Sequence, residues 1–116
     1  MQLYKGSCHC GKVGFEVDGA LQGGGECNCS MCRRKGAMMW FVPASHFRLL
    51  SPASDMATYT FNTHRIQHRF CPVCGIHTHG EANDKDGNPT VAINVRCLED
   101  VDLDALPVHH FDGSKL

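Results

Sequence analysis

Three thiols fall within six residues in Cys27-Asn28-Cys29-Ser30-Met31-Cys32, and four more sit in two short knuckles, Cys8-His9-Cys10 and Cys71-Pro72-Val73-Cys74. Thiolates at such spacing are ligands for a soft divalent metal, and zinc takes them in tetrahedral sets of four. The two knuckles together make a complete set, and the six-residue stretch falls one ligand short. A filled set is a crosslink; three protein ligands with an exchangeable fourth position are the arrangement of a catalytic zinc.

The chemistry open to Cys27, Cys29 and Cys32 follows from charge. Three thiolates around one zinc ion leave a net negative charge, so the metal is a weaker Lewis acid than one held by three histidines, and ionising water is not its natural task. A thiol entering the fourth position would ionise on the soft metal and stay nucleophilic, which suggests attack by sulfur on a small electrophile. Arg33, Arg34 and Lys35 come next in the chain. They offer cations to the carboxylates of an acidic thiol, or they only screen the thiolates from a solvated face. The stretch also admits a second structural zinc, completed by Cys97 or by His9, His46 or His68. Cys97, in Val95-Arg96-Cys97-Leu98, reads better as a small buried apolar residue.

In the knuckles Cys71-x-x-Cys74-Gly75 and Cys8-x-Cys10-Gly11 a glycine stands beside the second thiol, where the chain must turn to aim both sulfurs inward. Joined through one metal, they close a loop of about sixty residues and remove much unfolded-state entropy. Spacing alone leaves the pairing open, since Cys29-x-x-Cys32 with Cys71-x-x-Cys74 is also conceivable. A redox dithiol at Cys71 and Cys74 is the competing reading, but such motifs belong beside a βαβ unit and no amphipathic helix follows here.

A chain of 116 residues, 42% hydrophobic and 20% charged, suits one domain over residues 1–116 without a linker. Its core is modest, so metal crosslinks should add appreciably to stability. The segment Met1-Gln2-Leu3-Tyr4-Lys5-Gly6 has no signal-peptide core, which points to a cytoplasmic protein with reduced thiols. A formal net charge of −1, with no long basic block, argues against nucleic-acid binding, and no apolar run is long enough to cross a bilayer.

The elements that must carry these ligands are short strands. Val13, Phe15 and Val17 alternate as in a half-buried strand, and Gly19 to Glu26 reads as a flexible loop. Ala37 to Val42 is a continuous apolar run that predicts a buried strand, followed by one helical turn at Pro43–His46 and a short strand at Phe47–Leu50. Ala57–Phe61 and Ile66–Phe70 form a hairpin that delivers the chain into Cys71. Ile76 to Gly80 is short and mixed, Asp84–Pro89 is a turn, and Thr90–Val95 is another strand. The acidic tail with Leu98, Val101, Leu103, Leu106 and Val108 reads as a loop laid on the core.

Taken in order, Gly6-Ser7-Cys8-His9-Cys10-Gly11, Cys27-Asn28-Cys29-Ser30-Met31-Cys32-Arg33-Arg34 and Arg69-Phe70-Cys71-Pro72-Val73-Cys74-Gly75 resemble the glutathione-dependent formaldehyde-activating enzyme family, also called the centromere-protein-V-like domain. The resemblance implies a mainly β, Mss4-like fold with short helical turns. It also implies a structural zinc on Cys8, Cys10, Cys71 and Cys74 and a catalytic or labile zinc on Cys27, Cys29 and Cys32. By the same likeness the activity is that of a carbon–sulfur lyase, condensing formaldehyde with glutathione to S-hydroxymethylglutathione. Arg33 and Arg34, by their place beside the three thiols, are the candidates to bind the thiol substrate. Asn28 stands where the family often has histidine. The alternative class is a non-catalytic zinc-stabilised binding or scaffold module of the Mss4-like type.

Overall fold

A computed structural model describes residues 2–113 and shows a mainly β protein. In chain order come β1 (Gln2–Ser7), β2 (Gly14–Gly19) and β3 (Gly24–Cys27), then a one-turn helix, α1 (Cys32–Lys35). Next are β4 (Met39–Pro43), β5 (Phe47–Leu49), β6 (Ala57–Tyr59) and β7 (Gln67–Phe70). The chain finishes with β8 (His77–Asn83), β9 (Pro89–Asn94) and β10 (Val108–Phe111). Single 3-10 turns at Ala44–His46, Ala53–Asp55, Val95–Cys97 and Leu103–Ala105 link them.

The strands make two sheets. The smaller has the order β1-β2-β5 and the larger β10-β3-β4-β9-β8-β7-β6. All pairings are antiparallel except that of β10 with β3. The alternation read in β2 places Phe15 and Val17 fully inside, against Val42, Val91 and Ile93 of the larger sheet and Val95 of the turn that follows β9. Each such side chain contributes about 1.5–3 kcal/mol by leaving water. On the outer side of β2, Glu16 meets Arg48 of β5 at 2.7 Å. A satellite cluster of Cys8, Val13 and Cys71 lies apart from this core.

The hairpin of β6 and β7, the turn at Pro43–His46, the strand at Phe47 and the turn before β9 form as expected. Four expectations are corrected. The glycine-rich stretch is not all loop, because Gly24–Cys27 is a strand whose backbone groups pair with β10 on one side and β4 on the other. A side chain at Gly24 would run into Met38, so the bare backbone is what lets this strand lie flat. The tail is likewise not all loop, since Val108–Phe111 is β10. Third, the short, mixed segment after Cys74 is β8, seven residues long and held between β7 and β9. Its buried residues are His77, Thr78, His79 and Gly80, so it shows no apolar pattern. Lastly, β4 is not buried throughout: Phe41 is 68% exposed. Among the described residues no helix is long and apolar enough to cross a membrane.

Candidate functional site

The first knuckle follows β1 and the second follows β7, so the two sheets deliver their thiols to one point. The Sγ atoms of Cys8, Cys10, Cys71 and Cys74 all lie within 4.8 Å of one another. Cys10 Sγ is 3.7 Å from Cys8 Sγ and 3.6 Å from Cys71 Sγ. A tetrahedron with zinc–sulfur bonds of 2.3 Å has edges of about 3.8 Å, so the spacing fits that ion. Gly11 at φ +84° and Gly75 at φ +79° make the left-handed turns that bring each knuckle round, as their positions beside Cys10 and Cys74 suggest.

Backbone N–H groups are already aimed at these sulfurs. Val13 N–H donates to Cys8 Sγ at 3.3 Å, and Val73 and Cys74 donate to Cys71 Sγ at 3.4 and 3.5 Å. The Cys10 backbone N–H, with that of Ile76, holds the Cys74 thiol down to about 6, and the Cys74 N–H lowers Cys71. At Cys10 the Lys12 backbone pulls the same way, but desolvation and the neighbouring thiols push it up to about 11. Four adjacent thiols cannot all ionise against one another without a cation. A dication would relieve that conflict, so the donor set fits a metal in its chemistry as well as its spacing.

The second group is local. Cys27 ends β3, Cys29 lies in the turn after it, and Cys32 opens α1; their sulfurs also lie within 4.8 Å of one another. Cys29 N–H donates to Cys27 Sγ at 3.4 Å, and Cys32 N–H to Cys29 Sγ at 3.3 Å. Desolvation first, then Cys29, push the Cys32 thiol up to about 12, and Lys35 opposes that shift. Asn28 ties the turn down: its backbone N–H reaches Phe111 O at 3.2 Å and its side-chain oxygen accepts from Gly113 N–H at 2.7 Å. All eight cysteines are free of disulfides.

Among the described residues no fourth His, Cys, Asp or Glu joins the three thiols. The side chains considered as a fourth ligand are engaged or placed otherwise. His46 bonds Asp18 at 3.0 Å, and the Cys97 thiol donates to His77 O at 3.6 Å, packed against the main core. His9 is exposed, and His68 Nδ1 is 3.3 Å from Lys35 Nζ.

A cleft of about 740 Å³ opens from Cys32 and Lys35 along the outer face of the larger sheet. Its floor is a row across four strands, Phe41, Ala92, Gly80 and His68, which are successive partners in the register from β4 to β7. Small residues in the middle of that row make the depression, and Arg65 and Lys85 come from the loops at its margin. Arg33 and Arg34 are exposed and do not line the cleft; Arg34 Nη1 donates to Ser30 O at 2.7 Å. Reasoning from sequence missed the cleft, along with His77 and His79. The one available signal was Phe41, an aromatic at the outward position of a strand.

A family model described as glutathione-dependent formaldehyde-activating enzyme matches residues 3–111. A crystal structure of a Rhodobacter sphaeroides protein, a structural-genomics target, is similar with a TM-score of 0.80 at 34% identity, and the match covers 92% of this chain and 98% of that one. With two cysteine clusters in the expected order and a match over almost its whole length, the chain belongs to the glutathione-dependent formaldehyde-activating enzyme family.

Proposed function

We propose that this chain is a zinc-dependent carbon–sulfur lyase, one domain over residues 1–116, that joins glutathione or a related thiol to formaldehyde or another small aldehyde and reverses the reaction. The observation that carries this reading is the three-thiol group whose Cys32 lines a cleft, with no fourth His, Cys, Asp or Glu among the described residues to complete it. In it Cys8, Cys10, Cys71 and Cys74 hold a structural zinc, and Cys27, Cys29 and Cys32 hold the catalytic one. The second ion would supply a soft centre on which an entering thiol loses its proton at neutral pH.

The rest is the work of side chains. The cleft takes the body of the thiol and keeps water from the reacting carbon, with Met39, Phe41, Ala82 and Ala92 as its apolar wall. Arg33 and Arg34, on the exposed side of α1, and Arg65 at the margin are the cations available to the thiol's carboxylates. We read the protein as cytoplasmic and without a nucleic-acid or membrane partner.

Native mass spectrometry with added glutathione tests this, paired with zinc-edge absorption. The expected result is two zinc ions, one labile, with an added sulfur neighbour at that one when glutathione binds. Two ions that are coordinatively saturated and indifferent to glutathione would instead support a non-catalytic, zinc-stabilised binding module.

A further inference from the structure

Two buried imidazoles converge on one ammonium at the end of the cleft nearest the three thiols. Lys35 Nζ lies 3.3 Å from His68 Nδ1 and 3.3 Å from His77 Nε2. The rings belong to neighbouring strands, β7 and β8, and are only 5% and 9% exposed. Burial first, then the charge on Lys35, push His68 down to about 4 and His77 to about 3, with the Arg69 backbone opposing at His77. Both rings are therefore neutral at pH 7, and each has one lone pair to offer.

A protonated lysine has three N–H donors and no acceptor. Two of them are used here. The proton of His68 then sits on Nε2 and that of His77 on Nδ1, and those two nitrogens are buried without a hydrogen-bond partner among the described residues. Leaving them so is costly, and the arrangement secures the lysine in return. No carboxylate pairs with Lys35 among the described ion pairs. Burial lowers the pKa of Lys35 from its usual value, and the negative charge of Cys32, Cys29 and Cys27 works the other way, towards the protonated form. A flexible four-carbon stem has thus been fixed in place, with one N–H left over, beside the cleft that Cys32 also lines.

We propose that Lys35, tethered by His68 and His77, is a catalytic residue whose third N–H receives the carbonyl oxygen of the aldehyde and stabilises the negative charge that develops there. This rests on the thiol–aldehyde reading given above. The sulfur's electron pair forms the new S–C bond while the C=O π pair moves onto oxygen. Water then supplies the proton that makes this oxygen a hydroxyl, replacing the one the thiol released to water on ionising. Nothing is oxidised or reduced. A donor held in place before the reaction, in a site walled by apolar side chains, stabilises such charge far better than one that must be ordered during it.

The test compares zinc-loaded wild type, Lys35→Met and Lys35→Gln. Nitrogen-15 NMR of the wild-type imidazoles needs no turnover: His68 should carry its proton on Nε2 and His77 on Nδ1. Like tautomers in both rings, or a cationic ring at pH 7, would overturn the proposal. In the second arm, initial rates with glutathione and formaldehyde are set beside glutathione affinity, melting and zinc content. Lys35→Met should keep both zinc ions and bind glutathione like the wild type, while kcat falls about 10²–10³-fold. Should Lys35→Met lose its metals, Lys35→Gln replaces it, with a fall in kcat still expected. An active wild type whose variants match it in kcat, or lose only glutathione affinity, overturns the role of Lys35 and leaves the proposed function standing. An inactive wild type that binds no glutathione brings down that function and this role together.

Discussion

The two cysteine clusters use the same ligand chemistry at the same sulfur spacing, yet they sit in the fold in opposite ways. One draws its thiols from positions 61 residues apart, Cys10 and Cys71, at the ends of strands in different sheets. The other takes all three from one strand end, a turn and the start of α1. The first has a small core of its own, where Cys8, Val13 and Cys71 pack with Leu49 and Met56. The second borders a cleft. A metal bound by distant segments restrains the unfolded chain, whereas one bound by a single local segment restrains very little. On the proposed reading, sequence separation, more than ligand identity, divides structure from chemistry.

The sharpest way to break this contrast is to remove one thiol from each cluster. Cys74→Ser should abolish cooperative folding or lower the melting temperature severely, since a crosslink closing so long a loop is worth about 4 kcal/mol on the chain-entropy model. A variant that melts like the wild type would erase the distinction. Cys32→Ser should keep the fold, judged by melting and circular dichroism, while losing one zinc ion by mass spectrometry and all adduct formation. Should it unfold as readily as Cys74→Ser, both clusters would be structural.

Acid sharpens the comparison from another side. Burial holds His79 down at about 4, as it does His68, with His77 lower still at about 3, all below the usual 6.5. Below pH 6.5 the unfolded chain therefore binds protons that the native one refuses, and stability falls as pH drops from about 6.5 towards 4. Stability from these rings is fully present above pH 6.5. Thiol protonation releases metal in the same direction, so His79→Phe separates the two: its ring would pack against Phe15 and Phe47 as that of His79 does. Melts at pH 7.5, 5.5 and 4.5 should show a shallower decline for this variant. The smallest effect is expected of Asn28→Ala, which loses the bond to Gly113 N–H and should cost about 1 kcal/mol. The second zinc should then dissociate faster, measured by transfer to a chromogenic chelator, while release from the four-thiol cluster is unchanged.

Much of this was legible in the chain because thiol spacing is local information. The knuckles with Gly11 and Gly75, the period of β2 and the Asp84–Pro89 turn are all written in short windows. What escaped depends on partners far away. Gly24–Cys27 is a strand only because β4 and β10 flank it, and Val108–Phe111 only because β3 offers a free edge. The strand β8 hides its burial by using histidine and threonine where apolar residues are the norm. The cleft has no signature beyond the outward Phe41, because its floor is a row of one residue from each of four strands.

The parallel pairing of β10 with β3 carries a practical corollary. His110 is exposed and stands directly opposite Glu26, the residue before Cys27. A fluorescent amino acid put there would replace no ligand, yet would sit beside the strand that ends at the first of the three thiols. Filling and emptying of that cluster could then be followed optically in the working protein, while the four-thiol crosslink stayed silent.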